Sequence, residues 1–232
     1  MSQIKVGVVG AGGRMGRMVC AAVALDHDLD LVAAVARNSV GEALHGVTVT
    51  GDLRSLADAG CEVVVDFTVA DAARVTLPWL AMHGVHAVVG TTGFNDADIA
   101  SFRQEFSGSN CLIASNFAIS AVLMMRFAEL AAPYFDSAEI IELHHDEKID
   151  APSGTAISTA KRMAAASGEW TADPTQHELY PGARGGVGPA GIRVHSVRMR
   201  GLVAHQEVIL GAHGQTLTIR QDSYDNASYM PG

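Results

Sequence analysis

Apolar and polar positions along the chain change period several times, and those changes divide it into elements. Ile4-Lys5-Val6-Gly7-Val8-Val9 predicts a short apolar strand, which turns at Gly10-Ala11-Gly12-Gly13-Arg14-Met15-Gly16 into a helix with apolar residues at helical spacing through Leu25. Strands are predicted over residues 31–36 and 47–50, and Asp52 is placed to cap a helix through Ala59. The unbroken apolar run Val63-Val64-Val65 within residues 62–68 reads as a buried strand. Residues 71–83 predict a helix that Pro78 either kinks or forces into a later turn. A strand over residues 86–89, a helix over 97–106 and a strand over 112–114 complete an alternation of strand and helix. Such alternation implies an α/β fold with a Rossmann-type, mostly parallel and doubly wound sheet.

Beyond Phe117 the pattern changes. Residues 120–132 form a long apolar helix whose Met124 and Met125 read as core or interface. Residues 139–143 alternate as a half-buried strand, and residues 156–166 are helical. Residues 172–189, rich in Pro and Gly, predict a long loop, with the Gly-Ala-Arg-Gly stretch at 182–185 read as exposed linker in preference to a mobile lid. Three strands follow at 192–199, 203–210 and 215–221, the last two a hairpin around His213-Gly214. The second half is therefore expected to be an α+β domain with an open, mixed or antiparallel sheet, the boundary falling between residues 1–116 and 117–225. An open sheet edge suits association with another copy.

Composition narrows the class. With 232 residues and 48% hydrophobic content the chain can bury the core of one large or two modest domains. No apolar run reaches bilayer length, and Met1-Ser2-Gln3 leads into a charged strand with no signal peptide, so a cytoplasmic protein without a membrane partner is expected. Cys20, Cys61 and Cys111 are odd in number and scattered through apolar stretches, which implies reduced thiols and no metal centre. A formal charge of −9 argues against nucleic acid, so any anionic ligand must be drawn by a local cationic site.

Two stretches carry chemistry. The first is the glycine turn between a strand and a helix, where missing side chains permit a tight bend, close approach to a pyrophosphate and close helix packing. Its spacing is unusual: Gly10, Gly13 and Gly16 stand at intervals of three, and Met15 holds the sixth position of the standard fingerprint. Arg14 is available to a phosphate, or is a solvated surface charge. Ala36 stands where an enzyme using NAD normally carries an acidic residue for the ribose hydroxyls, and the adjacent Arg37 favours a 2′-phosphate, hence NADPH. In such sheets ligands lie beyond the carboxyl ends of the strands, which puts Phe67-Thr68, Gly90-Thr91-Thr92 and Ser115-Asn116-Phe117 on the same rim.

The second is residues 139–155, where the strand runs through His144, His145 and Lys148 into Asp150-Ala151-Pro152-Ser153-Gly154-Thr155 and a helix. A histidine titrates near neutrality, a lysine is a fixed cation, and the amides of Ser153, Gly154 and Thr155 at a helix N-terminus suit a carboxylate or phosphate. Singly, each residue has a plain structural reading, Asp150 or Ser153 as an N-cap for example; together they favour a substrate site. If the strand persists to its end, His144 and His145 point to opposite faces and cannot share one role.

These motifs, ELHHxxKxDAPSGTA with GAGGRMG, VVVDFT, GTTGF and SNFAISAV, resemble the 4-hydroxy-tetrahydrodipicolinate reductase family, formerly dihydrodipicolinate reductase, over almost the whole chain. The resemblance implies reduction of 4-hydroxy-tetrahydrodipicolinate to tetrahydrodipicolinate with NADPH or NADH in diaminopimelate and lysine biosynthesis, by a homotetramer acting on a small dicarboxylate. It implies that His144 is the proton donor or acceptor and Lys148 the proton donor to the substrate nitrogen, with His145, Gly154 and Thr155 binding substrate. It implies cofactor contacts at Gly10, Ala11, Gly12, Gly13, Arg14, Met15, Arg37, Gly90, Thr91, Thr92, Ala114, Ser115, Asn116 and Phe117. Residues 1–116 would then be the dinucleotide-binding domain and 117–225 the domain for substrate and oligomerisation, with the tail from about residue 226 returning to the first. Ala36 departs from the acidic residue common in the family, and the family pattern continues past Gly232 with a terminal helix packing on the cofactor domain. Two alternatives remain: another two-domain nicotinamide dehydrogenase, and a non-catalytic NADPH-binding sensor, which would have no use for His144, His145 and Lys148.

Overall fold

The computed structural model describes residues 2–232. The chain divides into two compact units, one ending at Ser115 and the other running from Asn116 to Gly232.

In the first unit the strands are β1 (Ile4–Val9), β2 (Leu29–Val35), β3 (Ala43–Leu44), β4 (Val47–Thr50), β5 (Val63–Asp66), β6 (His86–Val89) and β7 (Cys111–Ile113). They form one sheet of order β3-β4-β2-β1-β5-β6-β7, parallel throughout except for the β3–β4 pair. Helices α1 (Arg14–Leu25), α2 (Arg54–Asp58), α3 (Ala70–Met82) and α4 (Asp96–Glu105) supply the crossovers that parallel pairing demands. Leu56, Leu77, Leu80 and Phe102 from those helices pack on Val64, Ala87 and Val89 of the sheet. Full burial of each such leucine contributes about 1.5–3 kcal/mol. Pro78 lies inside α3, and the helix runs on past it to Met82. The proline removes one backbone donor, and the buried neighbours Leu77 and Leu80 keep that face on the core regardless. A reciprocal cap starts α4, in which Asp98 N donates to Asn95 Oδ1 and Asn95 N to Asp98 Oδ2, both at 2.9 Å. Because β1 has β2 on one side and β5 on the other, strand order reverses at β1, and the loops after β1 and β5 leave the same sheet edge.

The second unit contains α5 (Ile119–Ala131), β8 (Ser137–His144), α6 (Gly154–Ala166), β9 (Gly186–Val187), β10 (Arg193–Arg198), β11 (Ala204–Ala212) and β12 (Gln215–Ser223). Its sheet order is β12-β11-β8-β10-β9. The predicted hairpin is β11–β12, while β8 runs antiparallel to β11 and parallel to β10. The parallel pair follows from the α6 crossover between β8 and β10. Ile140, Val194, Val208 and Leu210 face Met124, Met125 and Met163 of α5 and α6 in one core. The loop after α6 is pinned: Arg184 pairs with Glu139 and with Asp173, the latter at 3.2 Å. Residues after 225, expected to return to the first domain, group with the second unit; a Cβ added to Gly232 would lie 1.9 Å from the Phe117 carbonyl oxygen.

Candidate active site

On the first unit, the turn after β1 depends on missing side chains. Gly10 has φ of +85°, and a Cβ there would come 2.5 Å from the Phe67 carbonyl oxygen. A Cβ on Gly16 would come 2.0 Å from the Gly10 carbonyl oxygen, so the chain needs glycine at this place whatever the usual fingerprint prescribes. Gly10 N and Ala11 N donate to Val35 O (2.9 and 3.1 Å), and Gly13 N donates to Gly10 O at 2.9 Å. The remaining donors are the first amides of α1, whose start has no side-chain cap and no acidic residue. Gly13 and Arg14 are exposed there, and Arg14 has no carboxylate partner among the described residues. An uncapped positive helix end flanked by an arginine fits a dinucleotide's phosphates. Arg37 is likewise exposed and unpaired among the described residues. Arg17, passed over in the sequence, braces the turn: its guanidinium donates to Gly12 O (3.3 Å) and Ser39 Oγ (3.2 Å) and pairs with Glu42 at 2.6 Å.

The loops after β5 and β6 are tied by Asp66, which is wholly buried. Its Oδ1 accepts from Thr68 N (3.0 Å), Thr68 Oγ1 (2.7 Å) and Thr91 Oγ1 (2.7 Å). Burial pushes the Asp66 carboxyl up despite those hydrogen bonds. The Thr91 hydroxyl therefore points inward, while Gly90 leaves room for the Phe67 ring, whose Cε1 would be 2.1 Å from an added Cβ. Ala114 N donates to Val89 O at 3.2 Å, continuing the rim after β7.

On the second unit the site gathers at the end of β8 and the start of α6. Glu142 and His144 stand two apart on one strand and so share a face. Glu142 is 0% exposed, and its Oε2 lies 2.5 Å from His144 Nδ1. The parallel register of β8 and β10 sets Arg198 beside His144, and the guanidinium grips Glu142 through both nitrogens, Nη1 to Oε2 at 2.9 Å and Nη2 to Oε1 at 2.8 Å. Burial pushes the Glu142 carboxyl up, but the hydrogen bonds from His144, Arg198 and Ser196 outweigh it and hold the group down at about 2.

Ser153 caps α6: its Oγ accepts from Ala156 N at 3.2 Å, and its own N–H donates to Glu142 Oε1 at 3.3 Å. The Ser153 amide is thus committed inside the protein, and the first helical amides, of Gly154 and Thr155, are those that the helix itself leaves without partners. Nothing lies within 4 Å of where a Gly154 Cβ would be, so that side is open. Asn116 Nδ2 donates to Thr155 Oγ1 at 3.0 Å, joining a residue expected at the cofactor to one expected at the substrate. Lys148 is not an isolated cation: its Nζ lies 2.7 Å from the more exposed Asp150 carboxylate, whose pKa it lowers. His145 follows directly after β8, its carbonyl accepting from Lys148 N at 3.3 Å.

Glu142, Arg198, Asp66 and Arg17 are the polar residues that sequence reading missed. Glu142 had a signal, its i, i+2 relation to His144; Arg198 had none, because its proximity depends on the pairing of strands more than 50 positions apart, the Arg198–Glu142 separation being 56.

Comparison with known proteins agrees with both halves. The family profile described as dihydrodipicolinate reductase, N-terminus, matches residues 4–117, and that described as dihydrodipicolinate reductase, C-terminus, matches residues 120–232. The 4-hydroxy-tetrahydrodipicolinate reductase of Thermobifida fusca is 52% identical, over 99% of this chain and 89% of that protein. The Cutibacterium acnes protein of the same name is 51% identical, again over 99% and 89%. Among solved structures, dipicolinate-bound dihydrodipicolinate reductase from Paenisporosarcina sp. TG-14 superposes with a TM-score of 0.85 at 38% identity, over 99% of this chain and 91% of that one. GenD2 in complex with NAD, at 18% identity and a TM-score of 0.65, shares the fold alone. With profiles covering both units and relatives half identical from end to end, the chain belongs to the dihydrodipicolinate reductase family.

Proposed function

We propose that this protein reduces 4-hydroxy-tetrahydrodipicolinate to tetrahydrodipicolinate with NADPH or NADH, a step in diaminopimelate and lysine biosynthesis. The observation that supports the reading is the single loop between β8 and α6, which carries an imidazole, an ammonium and an open helix N-terminus, groups suited to a small dicarboxylate. In this reading the first unit holds the dinucleotide. The α1 amides and Arg14 take the phosphates, Arg37 a 2′-phosphate, and the backbone of Gly90, Thr91 and Thr92 with Ala114 and Ser115 lines the reducing end. The bound cofactor supplies the hydride.

The second unit holds the substrate. One carboxylate sits on the Gly154 and Thr155 amides, with the Thr155 hydroxyl oriented by Asn116. The incoming dianion competes with Asp150 for Lys148; once the 4-hydroxyl has left the ring as water, hydride arriving at that carbon pushes charge onto the ring nitrogen, and the freed ammonium gives its proton there. His144 offers a second proton-transferring group, and His145 the substrate's edge. The dipicolinate in the Paenisporosarcina neighbour, a planar dicarboxylate, supports a ligand of this kind. Membership of the family separates this protein from other two-domain dehydrogenases, which share its fold at low identity.

The protein works as a homotetramer in the cytoplasm; no helix among the described residues is long and apolar enough to cross a membrane. The decisive assay follows nicotinamide absorbance with freshly made 4-hydroxy-tetrahydrodipicolinate, with aspartate semialdehyde and amino acids as competing substrates. Cofactor oxidation confined to the former supports the reading, and turnover of another substrate with none of this one overturns it.

A further inference from the structure

We propose that Glu142 is a positioning residue that holds the neutral His144 imidazole in the tautomer with its proton on Nδ1, leaving Nε2 as the ring atom that meets the substrate. The role rests on the reading of His144 as a proton-transferring group, and deepens it.

Glu142 is wholly buried and must find its partners inside the protein. Donors surround its two oxygens: Arg198 Nη1 and His144 Nδ1 at Oε2, Arg198 Nη2 and Ser153 N at Oε1, and the hydroxyl of Ser196, which lies opposite Glu142 on β10. An ionised carboxylate only accepts, so the ring nitrogen 2.5 Å from it must carry a hydrogen. Arg198 keeps the carboxylate ionised and cancels its charge, while its remaining bonds to Val197 O (2.8 Å) and Asp150 O (2.6 Å) fix the guanidinium in place. Among the described residues no titratable side chain beyond Arg198 is bonded to the Glu142–His144 pair. On β11, Ala204 lies opposite His144 and Gln206 opposite Glu142; α6 supplies Ser153; and the loop's Lys148 and Asp150 are paired with each other. When the imidazolium gives up its Nε2 proton to substrate, the ring becomes the Nδ1–H tautomer already bonded to Glu142. No proton passes to the carboxylate, and no reorientation accompanies the step.

Glu142→Gln tests this through donor counting. Were the amide NH₂ to take the Oε1 position, it would face two donors, Arg198 Nη2 and Ser153 N. At Oε2 it faces one fixed donor, Arg198 Nη1, together with a His144 nitrogen able to accept; the Ser196 hydroxyl can turn to accept and so opposes neither placement. The second arrangement places a donor against Nδ1 and moves the ring proton to Nε2. Nitrogen-15 NMR of the full chain labelled at histidine reads the tautomer directly, without cofactor or substrate. The expected results are Nδ1–H in the wild-type neutral ring, Nε2–H in Glu142→Gln, and a kcat about 100-fold lower with KM for NADPH within twofold. Should Glu142→Gln fail to fold, Glu142→Leu/Arg198→Met removes both charges together and must lose the Nδ1–H preference. A wild-type ring protonated on Nε2, or variants that keep both tautomer and turnover, overturns the proposal. If instead His144→Ala keeps full turnover while the wild-type ring is locked as Nδ1–H, the assignment of His144 to the reaction falls and the role of Glu142 in setting the tautomer stands.

Discussion

Lowering the pH should remove a defined share of the second unit's stability through Glu142. In the folded protein the hydrogen bonds of Arg198, His144 and Ser196 overcome the cost of burial and hold this carboxyl at about 2, against 4.5 for the free side chain. The difference of 2.5, at 1.36 kcal/mol for each, gives about 3 kcal/mol. Because the folded value lies below the unfolded one, this stabilisation is complete above pH 4.5 and declines as pH falls toward 2, where both states bind the proton. Urea unfolding at a series of pH values measures it, comparing the wild type with Glu142→Leu/Arg198→Met. Trp170 packs against the core of the second unit and Trp79 against that of the first, so a Trp79→Phe background lets fluorescence follow the second unit alone. Asp98, held at about 2 by Arg74, titrates in both proteins and cancels in the difference. Wild type should lose about 3 kcal/mol more than the variant between pH 5 and pH 2. Parallel curves across that range would refute the claim that Glu142 is ionised and clamped.

Lys148→Ala is expected to lower kcat by about two orders of magnitude with little change in cofactor affinity, read by steady-state kinetics alongside a binding titration. Gly90→Ala drives a methyl to 2.1 Å from the Phe67 ring, and thermal unfolding should show a loss of about 1–3 kcal/mol together with weaker binding of both cofactors. Arg37→Ala should weaken NADPH by about tenfold or more and leave NADH within twofold, since only the former carries a phosphate to lose its partner; calorimetric titration distinguishes the two.

Much of this was legible in linear order. The predicted strands and helices fall within two residues of where the apolar periods place them, because each must bury one face and its length is set by the run that can do so; the two-residue strands β3 and β9, the latter inside the stretch read as loop, are too short to show a period. The glycine turn was legible for a related reason: a backbone that approaches itself within a Cβ's reach accepts no other residue at Gly10 or Gly16. His144, Lys148 and the start of α6 lie within one stretch, and proximity in sequence is there proximity in space. Less visible was the use already made of some groups. Ser153 spends its amide on Glu142, Thr91 turns its hydroxyl inward, and Lys148 has a carboxylate partner.

By itself, then, the order of residues determined the element succession, the change of architecture near Phe117 and the chemical inventory of the loop, all of which depend on neighbours a few positions apart. The tertiary structure alone decided that β8 lies between β10 and β11, and with it that Arg198 reaches Glu142 and that a buried carboxylate sits behind the imidazole. Strand pairing across 56 positions is settled by how whole sheets and helices cover one core, and no local pattern encodes which strand will lie alongside which.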